Sequence, residues 1–343
     1  MKVIKKIYYL FFASLIMFAC SVDPEIKPVI TKDEIKEIVP EGWPTPIYNF
    51  GNNPLTVDGF TLGRYLFYDP ILSSDNTISC GSCHQQFSAF SNAGHDLSHG
   101  VSGLLGTRNT PALQNLNWLP TFMHDGGINH IEVMPLAPIT NPLEMNETMA
   151  NVIAKISASG KYKQLFTKAY GDDMVNSQRI FRAIAQFMGT MYSYNSKYDK
   201  VKAGEESFSA QEQAGYNLFV QKCSSCHKEP LFSDYDYRNN GLVAYIDSGR
   251  AHVTGNPSDK FKFKTPSLRN IEKTAPYMHD GRFYTLDQCL NHYVSGIVTS
   301  PTLDPLLVGG INMSTQDNND IIVFLKTLTD TKFLTDSRYS EIH

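Results

Sequence analysis

The chain has 343 residues, of which 42% are hydrophobic and 19% are charged, so it can bury one large core or two of ordinary size. Its formal net charge of −4 provides no basic surface of the kind that phosphate backbones attract. The composition therefore argues against nucleic acid as a partner.

The first twenty residues have the pattern of a secretory signal. Three lysines precede an apolar run at residues 7–19 that is too short to span a bilayer. Ala19 directly before Cys20 is typical of a lipoprotein cleavage site, with ordinary cleavage nearby as the alternative. Residues 21–50, rich in Pro, Lys and Glu, are predicted to form a disordered tether. The pattern predicts a periplasmic protein that a lipid anchors to a bacterial membrane.

One arrangement of cysteine and histidine occurs twice. "CGSCH" at residues 80–84 recurs as "CSSCH" at residues 223–227. A redox dithiol needs only the cysteines, and a tetrahedral zinc site that joined both pairs would not require a histidine at the same offset twice. A c-type haem uses all three side chains, because the two thiols bond to the porphyrin and the histidine binds the iron. We therefore predict two covalently bound haem groups, held by Cys80, Cys83 and His84 and by Cys223, Cys226 and His227.

The repetition extends beyond the haem motifs. "TPALQNLNWLPTFMHDGG" from Thr110 matches "TPSLRNIEKTAPYMHDGR" from Thr265 without a gap. Apolar periodicity elsewhere predicts helices, strand-like alternation is scarce, and the connections are rich in Gly, Pro and Asn. The sequence predicts a mostly α fold of two cytochrome c-like haem domains, related by internal duplication and joined by long irregular loops. The expected domains are residues 51–200 and 201–343.

These motifs together resemble the bacterial dihaem cytochrome c peroxidases, a family that also includes the methylamine-utilisation dihaem oxidases. The resemblance runs from about Asn53 to Thr329 and includes "FYDPILSSDNTISCGSCHQQFSAFS", "GTRNTPAL", "PITNPLEM" and "FLKTLTD". It implies that the first domain is the peroxidatic one and that the second transfers electrons from a small c-type cytochrome or a similar donor. The implied reaction is the reduction of hydrogen peroxide to water, and a homodimer is a further expectation.

The resemblance assigns a catalytic role to Glu144. It lies in "NPLEMNE" and matches the distal glutamate of the family. Peroxide cleavage needs one mobile acid and base that takes a proton from one oxygen and returns it to the other. The alternative is that Glu144 only flanks a helix beginning near Asn146, where a carboxylate favours the helix dipole.

The resemblance also implies a calcium ion between the domains, held partly by backbone carbonyl groups. The matching positions are Asn109, Thr274 and Pro276. Turn structure alone would explain these residues equally well, because carbonyl ligands leave little trace in a sequence.

The residues that correspond to the second iron ligand of each haem differ from those of the best-known peroxidases. The loop histidine that caps their first iron corresponds here to Val101, which cannot bind iron. His99 is the candidate ligand nearby, although a solvated loop histidine is the commoner situation. At the second haem, the family methionine corresponds to Tyr293 in "NHYVSG". The methylamine-type oxidases carry a tyrosine ligand at this position, and the competing candidates are Met278, Met313 and His292.

Two other functions share this fold. A dihaem oxidase that applies high-valent iron to a protein or organic substrate is favoured by Tyr293 and by His124, which stands where the family often has a tryptophan. A plain electron-transfer cytochrome would have no use for Glu144.

Overall fold

The structure, a computed structural model, describes residue 31 and residues 34–242 and 247–342. The predicted signal, the lipidation site Cys20 and the first part of the predicted tether lie outside these residues. Within the described part of the chain, no helix is both long and apolar enough to cross a membrane.

The prediction of a mostly helical chain with long irregular connections is confirmed. In chain order the α-helices are α1 (Val57–Tyr68), α2 (Cys80–Cys83), α3 (Leu136–Thr140), α4 (Met149–Ala158), α5 (Gly160–Tyr170), α6 (Ser177–Met188), α7 (Lys197–Lys202), α8 (Ala210–Lys222), α9 (Ala251–Thr254), α10 (Leu286–Asn291), α11 (Thr315–Lys326) and α12 (Thr331–Thr335). Strands β1 (Tyr237–Arg238) and β2 (Phe263–Lys264) form a short antiparallel pair, with Tyr237 opposite Lys264.

The helix starts follow from side chains that satisfy free backbone N–H groups. Thr56 accepts a hydrogen bond from Gly59 N at the start of α1. Ser209 and Glu212 form a capping box at the start of α8. Such caps stabilise a helix by about 1 kcal/mol, and they fix where each helix enters the fold.

The duplication is visible in one helix pair per half. Helix α1 packs on α6, and α8 packs on α11. A Cβ atom on Gly63 of α1 would lie 1.9 Å from the Ala183 carbonyl oxygen, and one on Gly215 of α8 would lie 1.9 Å from the Asp320 carbonyl oxygen. Only glycine permits so close an approach of two helix backbones, so both halves use the same crossing.

We expect the change Gly63→Ala to destabilise the protein by about 1–3 kcal/mol, because the added methyl group forces α1 and α6 apart. The midpoint of urea unfolding should fall. Gly106→Ala is the matched control, since the nearest atom to its Cβ would be Ser98 O at 3.6 Å, an ordinary contact. An unchanged midpoint for Gly63→Ala would show that the crossing adjusts freely.

Each half has its own hydrophobic core, but the C-terminal end of the chain packs into the core of the first half. The first core contains Phe67 and Phe187, and the second contains Phe219 and Phe324. Helix α12 and Tyr339, from the end of the chain, pack into the first core. The expected division at residues 51–200 and 201–343 is therefore incorrect for this last segment, which completes the first half instead.

Residues 34–50 also differ from the prediction. Ile35 is buried in the first core, and the Trp43 and Trp118 rings lie 4.9 Å apart in an edge-on arrangement. Trp118 Nε1 donates to Pro44 O at 2.7 Å. This stretch is not a free tether, because Ile35 and Trp43 pack on the folded part of the chain, although Val39 and Ile47 are exposed.

Candidate functional site

Both cysteine–histidine motifs face a single large cavity. Its volume is about 1930 Å³, whereas a site for one small molecule or cofactor occupies roughly 300–1,000 Å³. Six side chains of the motifs line it: Cys80, Cys83, His84, Cys223, Cys226 and His227. The cavity has room for two cofactors, and the two halves place one attachment motif each on its wall.

The first motif is shaped by a very short helix. Cys80 to Cys83 form α2, and a capping box between Ser79 and Ser82 starts it. His84 follows directly, and its Nδ1–H donates to the Phe90 carbonyl oxygen at 2.6 Å. Burial lowers the pKa of His84 to about 4, so the ring is neutral and its Nε2 carries a lone pair.

The second motif repeats this geometry at the end of α8. His227 Nδ1–H donates to the Phe232 carbonyl oxygen at 3.1 Å, and burial lowers the pKa of His227. In each half a backbone carbonyl thus fixes the tautomer that leaves Nε2 available for a metal. All four motif cysteines are free thiols, and burial raises the pKa of Cys80 and of Cys223 to about 12.

These residues fit a c-type haem in each half. Two unpaired thiols and one neutral imidazole converge on a cavity wall twice over, which is the set that covalent haem attachment uses. Among the described residues, no group of three or more Cys, His, Asp and Glu side chains is placed to hold a metal ion. The alternative of a zinc site shared by the two motifs therefore lacks its ligand set.

Glu144 lies on the cavity wall beside the first motif. Asn141 Nδ2 donates to Glu144 Oε1 at 2.7 Å, and Asn141 Oδ1 accepts from Leu143 N at 3.0 Å, which fixes the direction of the amide. Burial raises the pKa of Glu144, and the hydrogen bond from Asn141 partly opposes this rise. Its charge is close enough to raise the pKa of the Cys83 thiol, after the larger effect of burial.

The alternative role for Glu144 at a helix start is incorrect. The next helix, α4, begins at Met149, and Thr148 caps it. The carboxylate near the start of α4 is Glu147, because Glu147 Oε1 accepts from Thr148 N at 2.8 Å and Glu147 pairs with Lys155. The Glu144 side chain is therefore directed to the cavity and not to a helix dipole.

The loop that carries His99 is joined to the Glu144 segment through the backbone. Val101 N donates to Glu144 O at 2.7 Å, and a Cβ on Gly100 would lie 2.1 Å from Leu143 O. Val101 is 5% exposed, whereas His99 is exposed at the cavity rim and its ring meets the His95 ring edge-on. The structure therefore brings His99 to the cavity without burying its imidazole.

Tyr293 faces the cavity on the side of the second motif. It belongs to a π-helical turn, His292–Gly296, that directly follows α10; such turns are frequent at functional sites. Burial raises the pKa of Tyr293 to about 12, and a hydrogen bond from the Asn240 side chain opposes the rise. Of the competing candidates, Met278 and Met313 line the same cavity. His292 instead donates from Nε2 to the Asn240 carbonyl oxygen at 2.9 Å.

The three calcium candidates also lie on the cavity wall, at the junction of the halves. Asn109 N donates to His279 O at 2.8 Å, and Thr274 and Pro276 belong to the segment just before His279. The Asn109 carbonyl oxygen accepts from His124 Nε2 at 2.8 Å, so this oxygen already has one partner.

Several further residues at the site have little or no sequence signal of their own. Asn141 has a weak one, because it opens the "NPLEM" motif, but Asn240 is distant in sequence from every residue that it contacts in the site. Lys264 also faces the cavity, and its Nζ donates to Thr121 O at 2.5 Å. Burial lowers the pKa of Lys264 to about 7. Arg108 joins the two halves by pairing with Asp125 and Asp247.

Comparison with known proteins agrees with this geometry. Residues 58–207 match the family model described as di-haem cytochrome c peroxidase. The methylamine utilization protein MauG of Methylorubrum extorquens is 35% identical over 283 residues, which cover 80% of this chain and 79% of that protein. The cytochrome c551 peroxidase of Nitrosomonas europaea is 34% identical over 290 residues, which cover 80% and 81%.

Solved structures show the same relationship. The crystal structure of a MauG-like protein associated with microbial copper homeostasis superposes with a TM-score of 0.81 and 32% sequence identity, covering 88% of this chain and 98% of that one. The diheme peroxidase BthA from Burkholderia thailandensis shares the fold, with a TM-score of 0.71 and 22% identity over 83% of this chain and 90% of that one. The chain belongs to the di-haem cytochrome c peroxidase family, whose members include both peroxidases and MauG proteins.

Proposed function

We propose that the protein is a dihaem peroxidase that reduces hydrogen peroxide with electrons from a small c-type cytochrome or a similar donor. The reaction combines one hydrogen peroxide with two electrons and two protons and releases two water molecules. One observation carries the proposal: the partly buried carboxyl group of Glu144 faces the cavity beside the first motif, with Asn141 as its hydrogen-bond donor. A cytochrome that only transferred electrons would have no use for such a group.

In this proposal each motif holds one haem. Cys80 and Cys83 form the thioether bonds of the first, and His84 binds its iron through Nε2. Cys223, Cys226 and His227 hold the second in the same way. When bound, the haem groups would supply the redox chemistry, namely the transfer of electrons from the donor to peroxide.

Glu144 moves the proton. In the described part of the chain Oε1 accepts from Asn141 and no hydrogen bond to Oε2 is found, so Oε2 is available to peroxide. The carboxylate takes a proton from one peroxide oxygen and returns it to the oxygen that leaves as water. Burial raises the pKa of Glu144, which makes the carboxylate a stronger base, and the protonated form then persists to higher pH and can return the proton.

Access to the first site follows from the loop around Val101. Val101 provides no ligand atom, and the backbone contacts of Gly100 and Val101 with residues 143–144 hold the loop in place. We infer that peroxide reaches this site without prior reduction of the protein. His99 could bind the first iron only after a change in the loop conformation, because its imidazole is exposed in this one.

We expect the haem-loaded protein to oxidise a reduced small cytochrome c when peroxide is added, both as isolated and after partial reduction. Stopped-flow absorbance of the cytochrome measures both rates. Equal rates would support an uncapped first site, and a rate that rises several-fold after reduction would contradict it. Absence of turnover in both states, with two haem groups bound, would overturn the peroxidase proposal.

The second candidate is a dihaem oxidase that acts on a protein or an organic substrate. Tyr293 on the cavity wall favours it, and so does the similarity to MauG. In this case the cytochrome assay fails although peroxide is still consumed when a suitable organic reductant is present.

The proposal also includes a calcium ion, the cellular location and the oligomeric state. We propose a calcium ion near Asn109, Thr274 and Pro276, where a loop of the first half meets the second. Export to the periplasm, acylation of Cys20 and a homodimeric state complete the proposal. Covalent haem attachment and the signal pattern of the first twenty residues support export.

A further inference from the structure

Asn240 lies beside three of the four candidate ligands of the second haem. Its Nδ2 donates to Met278 Sδ at 3.5 Å, and its side chain is close enough to the Tyr293 hydroxyl group to lower the pKa of that group. Its carbonyl oxygen accepts from His292 Nε2 at 2.9 Å. The amide has one orientation, because Leu242 N donates to Asn240 Oδ1 at 3.4 Å and thereby turns Nδ2 towards the cavity.

The backbone on both sides of Asn240 is held firmly. Asn239 Nδ2 donates to Ser300 Oγ and to Thr302 Oγ1, both at 2.9 Å. Gly241 has a φ of +74°, and its carbonyl oxygen accepts from Val298 N at 2.9 Å. A side chain anchored on both sides in this way can fix the position of its partners instead of following them.

Met278 is itself constrained. Its φ is 73°, a left-handed conformation that is uncommon for a residue with a side chain. Residues in such conformations occur often at functional sites, where the surrounding structure holds them. Met123, the equivalent residue of the first half, has the same conformation, and the Met278 sulfur lies in a hydrogen bond with Asn240 on the wall of the cavity that Tyr293 faces.

We propose that Asn240 is a positioning residue that selects the Tyr293 oxygen over the Met278 sulfur as the distal iron ligand of the second haem. This inference rests on the two haem groups of the proposed function and on Tyr293 as the ligand candidate that the sequence gives for the second one. The amide lies beside the tyrosine oxygen on the cavity wall, and its hydrogen bond to the Met278 sulfur occupies one of the two sulfur lone pairs, which makes the thioether a weaker competitor for iron. The choice matters because an oxygen ligand lowers the potential of haem iron, whereas a thioether raises it.

The test uses the haem-loaded Asn240→Asp variant, which keeps the size of the side chain but has no N–H donor. We expect loss of the phenolate-to-iron charge-transfer absorption, appearance of a methionine-to-iron band, and an upward shift of one of the two midpoint potentials. Adding Met278→Leu should remove the new band. Met278→Leu alone should keep the spectrum of the parent protein.

Asn239→Asp is the matched control, because Ser300 Oγ can donate to the new carboxylate, Gly241 N already donates to Asn239 Oδ1, and Asn239 contacts none of the candidate ligands. Its spectrum and potentials should equal those of the parent. If Asn240→Asp does not load two haem groups, Asn240→Ser provides a smaller variant with the same expected shift. A parent-like spectrum and unchanged potentials in a loaded Asn240 variant would overturn the inference.

A separate variant, Tyr293→Phe, tests whether tyrosine is a ligand of the second haem. If Tyr293→Phe leaves the spectrum of the second haem unchanged, tyrosine is not its ligand and the sequence-based assignment of Tyr293 is incorrect, whereas the peroxidase proposal is tested separately by turnover. If Tyr293→Phe changes the spectrum and Asn240→Asp does not, the assignment stands and only the role of Asn240 is refuted.

Discussion

Replacement of Glu144 by glutamine is expected to lower peroxide turnover by roughly 10²- to 10⁴-fold, the range typical of a lost general acid and base. Glutamine preserves the shape of the side chain but cannot carry a proton from one peroxide oxygen to the other. The measurement is peroxide-dependent oxidation of a reduced small cytochrome c by protein that holds two haem groups. A rate within about threefold of the parent would show that proton transfer does not pass through Glu144, since the expected loss is far larger.

Glu147→Gln is the matched control. Glu147 lies three residues away and is buried, but it pairs with Lys155 at 2.8 Å and accepts from Thr148 N instead of facing the cavity. The change removes an ion pair, so thermal stability should fall while turnover per bound haem stays close to that of the parent. A comparable loss of turnover in both variants would point to a general structural effect.

The pH dependence should follow from the carboxylate form of Glu144. Its pKa is raised by burial, so activity should be lost as pH falls through a value above the ordinary 4.5. The pH dependence of folding stability is expected to be opposite to that of activity. A raised pKa in the folded state means that ionisation destabilises the fold, so this contribution is present at low pH and lost as pH rises. Glu144→Gln should therefore melt at the same temperature as the parent or higher at neutral pH.

Removal of both cysteines of one motif is expected to have an equally large effect. The double change Cys80→Ala and Cys83→Ala should reduce covalently bound haem from two groups to one per chain, because both thioether bonds are lost. Removal of Cys223 and Cys226 should do the same for the second site. Haem staining after denaturation and the pyridine haemochrome absorbance measure the stoichiometry.

The two double variants should differ in what they still do. Loss of the first haem should abolish peroxide turnover, whereas loss of the second should leave peroxide binding but stop the supply of electrons from the cytochrome. Cys289→Ala is the control, because Cys289 is a free thiol on α10 outside both motifs, and two covalent haem groups should remain. Two covalent groups in either double variant would refute the assignment of that motif.

The sequence determined those features that depend on residues close together in the chain. Each haem motif is complete within five residues, so its chemistry can be recognised without any fold. The matching segments from Thr110 and from Thr265 showed the duplication, and Gly63 and Gly215 occupy equivalent places in "LGRYLF" and "AGYNLF". Glu144 was identified through its motif, because its neighbours in the chain carry the resemblance.

The tertiary structure alone decided where distant segments meet. Residues 34–50 have the composition of a tether, yet Trp43 packs on Trp118, because burial of aromatic surface outweighs the polar composition. The chain end returns to the first core through Tyr339, a contact between residues far apart in sequence that no local pattern encodes. The same holds at the site. The sequence motif identified Glu144. The proximity of Asn240 to Met278 and Tyr293 could not be predicted, because it arises only when three separate segments pack around one cavity.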